Sequence, residues 1–148
     1  MAVIAMEHIT KFLRMQKQAI QAYNRRIEET AHRLGLAKPE ADVLLFLANN
    51  PQHNTARDVV QYRGFSKTYV SRSVESLVRQ GLLTTVQSAA DRRVQYLHLT
   101  ERASLPVRLL RQSQKEFFHF LTEDLSDQEV AMLERVFQQV DHKLSLLK

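Results

Sequence analysis

Near the start of the chain, apolar residues recur at steps of three, four and seven: Met6, Ile9, Leu13, Ile20, Tyr23, Ile27, Ala31 and Leu34. That spacing is one stripe of an amphipathic helix. Residues 3–34 hold no Gly and no Pro, so the helix runs uninterrupted, and Gly35 is placed to stop it. Pro39 suits the first turn of a second helix, with Val43, Leu44, Phe46 and Leu47 packing inward and Asn50-Pro51 ending it. Thr55 reads as the N-cap of a short third helix that stops near Gly64. Asp58, at its third position, is expected to counter the dipole without accepting a bond. Ser66 caps a fourth helix with a buried line of Val70, Val74, Leu77 and Val78, closed by Gly81.

The period then changes to two. Leu82–Val86 and Val94–Leu99 are β-prone runs joined by the polar loop Gln87–Arg93, which contains no Gly, so no tight primed turn is signalled. In the second run Gln95, Leu97 and Leu99 share one face, expected to cover the core; Val94, Tyr96 and His98 share the other. Helical spacing returns afterwards. Thr100 is expected to cap a fifth helix over roughly 101–122, with Pro106 bending its first turns. Ser126-Asp127-Gln128-Glu129 is a capping box, with Leu125 and Val130 placed as a hydrophobic staple. The stripe Val130, Leu133, Phe137, Val140, Leu144 and Leu147 advances by 3, 4, 3, 4 and 3 residues, the period a partner helix requires.

Composition narrows the class. The 148 residues favour one domain, and 44% apolar with 25% charged residues is ordinary for a globular protein. Three Gly and three Pro suit long helices better than an all-β fold. The absence of Cys excludes disulfides and thiol chemistry. The longest apolar run, Val43–Ala48, is too short to span a bilayer, and no secretory leader is read at the amino terminus, so a cytoplasmic protein is the expectation.

The net charge of +5 is unevenly spread. Between His53 and Arg102 stand eight lysines and arginines against four acids, so most of the excess falls in a third of the chain. There the order helix (55–63), turn (Gly64-Phe65), helix (66–80), hairpin (82–99) is that of a winged helix-turn-helix. An α-helix fits the major groove of B-DNA, and the first residues of the second helix reach base edges. Here these are Ser66, Lys67, Thr68, Tyr69, Ser71 and Arg72, with the positive helix end available to a phosphate. Arg63, Lys67 and Arg79 are candidate phosphate contacts.

The stretches "SKTYVSRSVESLVRQGLL", "DRR" and "LHLTE", with "LGLAKPEADVLLFL" and the long terminal helices, resemble the MarR family of transcription regulators over nearly the whole chain. The resemblance implies a mainly α fold of about six helices with a small β-hairpin wing. It implies a lobe at 37–100 that binds double-stranded DNA, and a dimerisation region at 1–35 and 101–148. Ile9, Leu13, Val130, Leu133, Phe137, Val140 and Leu144 are the candidate dimer contacts. It further implies a homodimer on a pseudo-palindromic operator and regulation by a small-molecule effector or another signal, often bound between the dimer body and the DNA-binding lobe. The family's wing motif falls on Asp91 and Arg93, with Arg92 in the variable place. The family pattern favours Arg93 as the minor-groove finger and Asp91 as its brace, with Arg92 a DNA-backbone contact or a substitute finger. Ser104, where the family usually has Gly, and Pro106 depart from the pattern at the start of the fifth helix.

Plainer readings stand beside these. The basic helix face could be merely solvated, and Asp91-Arg92-Arg93 a surface ion pair contributing about 0–1 kcal/mol. The histidines at 8, 32, 53, 98, 119 and 142 contain no pair at helical ligand spacing, so no metal is expected, nor any cofactor. Phe117, Phe118, Phe120 and Leu121 read as core. No phosphate loop, nucleophile elbow or carboxylate pair suggests an enzyme. An activator or architectural DNA-binding protein of the same fold, or a protein-only adaptor using the terminal helices, are the competing functions.

Overall fold

The first helix follows its stripe. α1 spans Met6–Arg33 in a computed structural model that describes residues 1–147. Its C-terminal part is covered, with Ile27 and Ala31 fully buried, whereas the same stripe continues uncovered through Met6, Ile9, Leu13 and Ile20. Gly35 ends the helix at φ 70°, a left-handed conformation that suits a residue without Cβ.

α2 (Lys38–Asn49) is the central helix: every residue from Glu40 to Leu47 is buried. α3 (Ala56–Arg63) starts at Thr55, and here the structure corrects one expectation. Asp58 does accept a bond, from the Thr55 backbone N–H at 3.1 Å, while Thr55 Oγ1 accepts from the Asp58 N–H at 3.1 Å. The pair is a reciprocal capping box built with the shorter acid. α4 (Lys67–Arg79) begins at Ser66, whose Oγ accepts the Tyr69 N–H at 3.1 Å. Its buried side holds Val70, Ser73, Val74 and Leu77; Val78, expected inside, is 40% exposed. Ser73 can be buried because its hydroxyl donates to the Tyr69 carbonyl at 2.7 Å.

β1 (Leu83–Gln87) and β2 (Gln95–Leu99) pair antiparallel, Leu83 opposite Leu99 and Gln87 opposite Gln95, each strand starting one residue later than its apolar run. Leu83 and Leu97 are buried, so the leucine face covers the core as its alternation requires. The return strand is also tied sideways. Thr55 bridges Tyr96, and the Leu97 N–H donates to the Asn54 carbonyl at 2.7 Å.

The expected helix from 101 begins instead as a 3-10 turn, Glu101–Ala103, followed by α5 (Ser104–Thr122). Thr100 does not cap it; its hydroxyl donates to the Gly81 carbonyl at 2.7 Å, closing the corner between α4 and the hairpin. Pro106 is the third residue of α5, where its missing N–H has no helical partner to lose. Met1–Gln114 forms one compact unit. Within it α1, α2 and α5 are joined by polar bonds: Thr30 Oγ1 to Ser113 Oγ at 2.6 Å, Gln114 Nε2 to Tyr23 Oη at 2.6 Å and Asn49 Nδ2 to Gln114 Oε1 at 2.9 Å.

Lys115–Lys148 is a second unit, holding the end of α5 and α6 (Asp127–Ser145). The Ser126/Glu129 capping box forms with bonds of 3.1 and 3.0 Å. Phe117 is buried, but Phe118, Phe120 and Leu121, read as core, are about half exposed or more. Phe118 diverges from Phe117 by 100°, while Phe120 and Leu121 share the side of Phe117 one turn further on, where α5 is uncovered. No residue of α6 is buried; Phe137 is 62% exposed. Among the described residues, no helix is long and apolar enough to cross a membrane.

Candidate nucleic-acid interface

Burying Val70, Val74 and Leu77 turns the opposite side of α4 outward. There lie Lys67, Thr68, Ser71, Arg72, Glu75 and Arg79, all exposed. The sharp entry to this helix depends on Gly64, at φ 67°, which lets α3 end and Ser66 begin the next helix two residues later. Hydroxyls and cations line the leading turns of α4, Glu75 sits at the middle of the face, and free backbone N–H groups point from its N-terminus.

Two predicted contacts are directed elsewhere. The Tyr69 hydroxyl donates to Asp42 Oδ2 of α2 at 2.8 Å, and its ring meets Phe65 at a centroid distance of 4.7 Å. Partial burial and the Asp42 carboxylate push this hydroxyl well above the usual tyrosine range. It is therefore a permanent donor. The Arg63 guanidinium lies 4.8 Å over the Phe65 ring and 3.8 Å from Asp42 Oδ1. Neither side chain belongs to the outward face of α4.

The wing supplies a second charged surface. Although it lacks Gly, its loop is closed by Ser88 N–H to the Val94 carbonyl at 2.9 Å, Val94 N–H to the Asp91 carbonyl at 3.0 Å and Gln87 Nε2 to the Arg92 carbonyl at 2.6 Å. Asp91 Oδ1 accepts both the backbone N–H and Nε of Arg93, at 3.0 and 3.1 Å, and Oδ2 accepts Nη2 at 3.3 Å. These bonds, side chain first, hold the Asp91 carboxyl below the usual carboxylate range, with the charge of Arg57 adding to them. The Arg92 guanidinium has no hydrogen-bond or ion-pair partner among the described residues.

Arg57 is the residue the sequence reading passed over. It is exposed in the first turn of α3 and close enough to influence Asp91 electrostatically. A signal existed: a cation at a helix N-terminus opposes the macrodipole, so its presence there is unfavourable locally. Among the described residues no cluster of His, Asp or Glu is arranged to hold a metal ion.

Comparison with known proteins agrees with this architecture. Residues 34–94 match the MarR family model. The crystal structure of transcriptional regulator PA3341 is 23% identical, aligns over 90% of this chain and 98% of its own, and gives a TM-score of 0.78. A putative MarR family transcriptional regulator from Listeria monocytogenes, solved in complex with a 26mer DNA, is 19% identical over 97% of this chain and 90% of its own, with a TM-score of 0.79. BpsR of Bordetella bronchiseptica, described with a mechanism for regulation of its DNA binding by 6-hydroxynicotinic acid, is 19% identical over 88% and 98%, with a TM-score of 0.68. No curated protein sequence matches the chain closely enough to count as a relative.

Proposed function

We propose that this chain, whose residues 34–94 match the MarR family model and whose fold is similar to that of transcriptional regulators of that family, is a homodimeric, effector-responsive transcription repressor acting on a pseudo-palindromic operator in the cytoplasm. The observation that carries this reading is the outward face of α4, with its hydroxyls and cations, beside a wing tipped by Arg92 and Arg93. Thr68, Ser71 and Arg72 read base edges in the major groove, while Ser66 and the neighbouring backbone amides meet phosphate. Lys67, Arg79 and Arg57 add phosphate contacts, and the wing arginine enters the flanking minor groove. Tyr69 serves the lobe rather than touching bases, and Arg63, packed on Phe65 and near Asp42 yet still exposed, adds a further phosphate contact.

Dimerisation is supported by the uncovered stripes. Ile9 and Leu13 of α1, and Phe137, Val140 and Leu144 of α6 with the half-buried Val130 and Leu133, need a second apolar surface, and a second copy supplies it. Two lobes would then meet half-sites about one helical turn, near 10–10.5 base pairs, apart. A small-molecule effector acting where α1, α2 and α5 meet would find polar groups there in Tyr23, Asn49 and Gln114. No catalytic step is assigned to the chain.

The test is titration of a labelled DNA fragment from the protein's own promoter region against random DNA of equal length at several salt concentrations. Specific binding that weakens steeply with salt is expected. A folded dimer with no affinity at low salt would sink the proposal. Equal affinity for both DNAs would favour an architectural protein, and a flat salt response a protein-only adaptor.

A further inference from the structure

The outward face of α4 is useful only if the helix is held at one angle. The apolar contacts of Val70, Val74 and Leu77 fix which face of α4 turns inward, and hydrogen bonds add a directional restraint at its ends. These bonds converge on two carboxylates of α2. Asp42, 2% exposed, takes the Tyr69 hydroxyl at 2.8 Å from the first turn of α4. Glu40, 9% exposed, takes the Ser76 hydroxyl at 2.8 Å and Gln80 Nε2 at 3.0 Å from its far end. A carboxylate this deeply buried requires donors, so both contacts are strongly constrained. Each acid also has a partner outside α4. Lys38 Nζ sits 2.8 and 3.0 Å from the oxygens of Asp42, and the Ala37 N–H donates to Glu40 Oε2 at 3.3 Å.

We propose that Tyr69, Ser76 and Gln80 are positioning residues: through Asp42 and Glu40 they pin the two ends of α4 and thereby set which base edges Thr68, Ser71 and Arg72 can reach. This rests on the DNA-binding reading above. The pins affect discrimination between sequences more than attraction to phosphate, because Arg57 and the wing cations lie outside α4 and the charge attraction of Lys67 and Arg79 tolerates small shifts that a base-edge hydrogen bond does not.

Y69F and S76A test it, each removing one hydroxyl while leaving the acid its other partners. A preferred site is first selected by the wild-type dimer from a randomised DNA pool. Affinities for that site and for random DNA are then compared, and the selection is repeated with each variant. Circular dichroism checks that each variant keeps the wild-type fold. Each variant should lose about fivefold to tenfold in affinity for the selected site, the scale of the net contribution of one hydrogen bond. Affinity for random DNA should stay within about twofold, and the selected bases should shift. Folded variants that keep the wild-type ratio and the wild-type site, or that weaken on both DNAs equally, would overturn the inference and leave the DNA-binding reading standing. Failure of the wild-type protein to bind any DNA would overturn both.

Discussion

Arg93 is held on both carboxylate oxygens of Asp91, two residues before it, while the guanidinium of Arg92 between them makes no such bond. The pairing orients Arg93 while using two of the five N–H groups of its guanidinium, and 84% of the side chain is exposed. We expect R93A to weaken operator binding about tenfold or more and R92A to weaken it less, as measured by fluorescence anisotropy. D91A should resemble a milder R93A, with an unchanged melting temperature. A larger loss for R92A would reassign the finger.

Acid should undo this arrangement late. The Asp91 carboxyl is depressed in the folded protein, first by its hydrogen bonds to Arg93. A depressed carboxylate contributes its pairing fully above the ordinary value, about 3.9 for Asp, and loses it only as pH falls through the lower folded value. The wing should therefore be unaltered between about pH 5 and pH 8. Carboxyl-carbon NMR should place the Asp91 midpoint below that of an exposed aspartate; a midpoint at or above it contradicts the pairing.

The hydroxyls of Thr30 and Ser113 meet at 2.6 Å between α1 and α5, both buried. They are not equivalent. Thr30 Oγ1 also receives Arg33 Nη2 at 3.1 Å and can donate to the Arg26 carbonyl at 3.3 Å. S113A leaves those bonds, whereas T30V deprives Ser113 of its partner across the interface. T30V should cost about 1–3 kcal/mol of unfolding free energy and S113A less. Urea denaturation would show the order, and the reverse order would mean that another group satisfies Ser113.

Charges on the uncovered stripes should split the dimer. L13E and F137E each place an acid where an apolar partner is expected, at positions 58% and 62% exposed in the single chain. Sedimentation should find the wild type dimeric at micromolar concentration and the variants shifted to monomer, with operator affinity falling in parallel. Variants that stay dimeric would move the interface elsewhere.

Much of this architecture follows from local rules written in the chain. Ser66, Gly64 and the capping box at Ser126 mark helix ends because each satisfies backbone groups that a helix leaves open. The leucine face of β2 follows from alternation alone. What was not legible depends on tertiary partners. Tyr69 looks like a surface contact until the fold brings Asp42, 27 positions before it, against its hydroxyl. Val78 satisfied the helical period, yet α4 is covered along a narrower arc, and Ser73 took the inner place because it could bond its own backbone. Arg57 appeared only as one charge among eight, since its closeness to Asp91 requires the wing to fold back toward α3.

The short ladder from Asn54 and Thr55 to the return strand of the wing has a mechanical meaning. It fastens the hairpin to the segment that opens α3, so wing and helix-turn-helix share one frame. On the DNA proposed as its partner, such a frame would act as a fixed caliper: it would measure the distance from a major-groove edge to the neighbouring minor groove and would refuse sequences whose helix cannot adopt that spacing cheaply, even where no side chain touches a base.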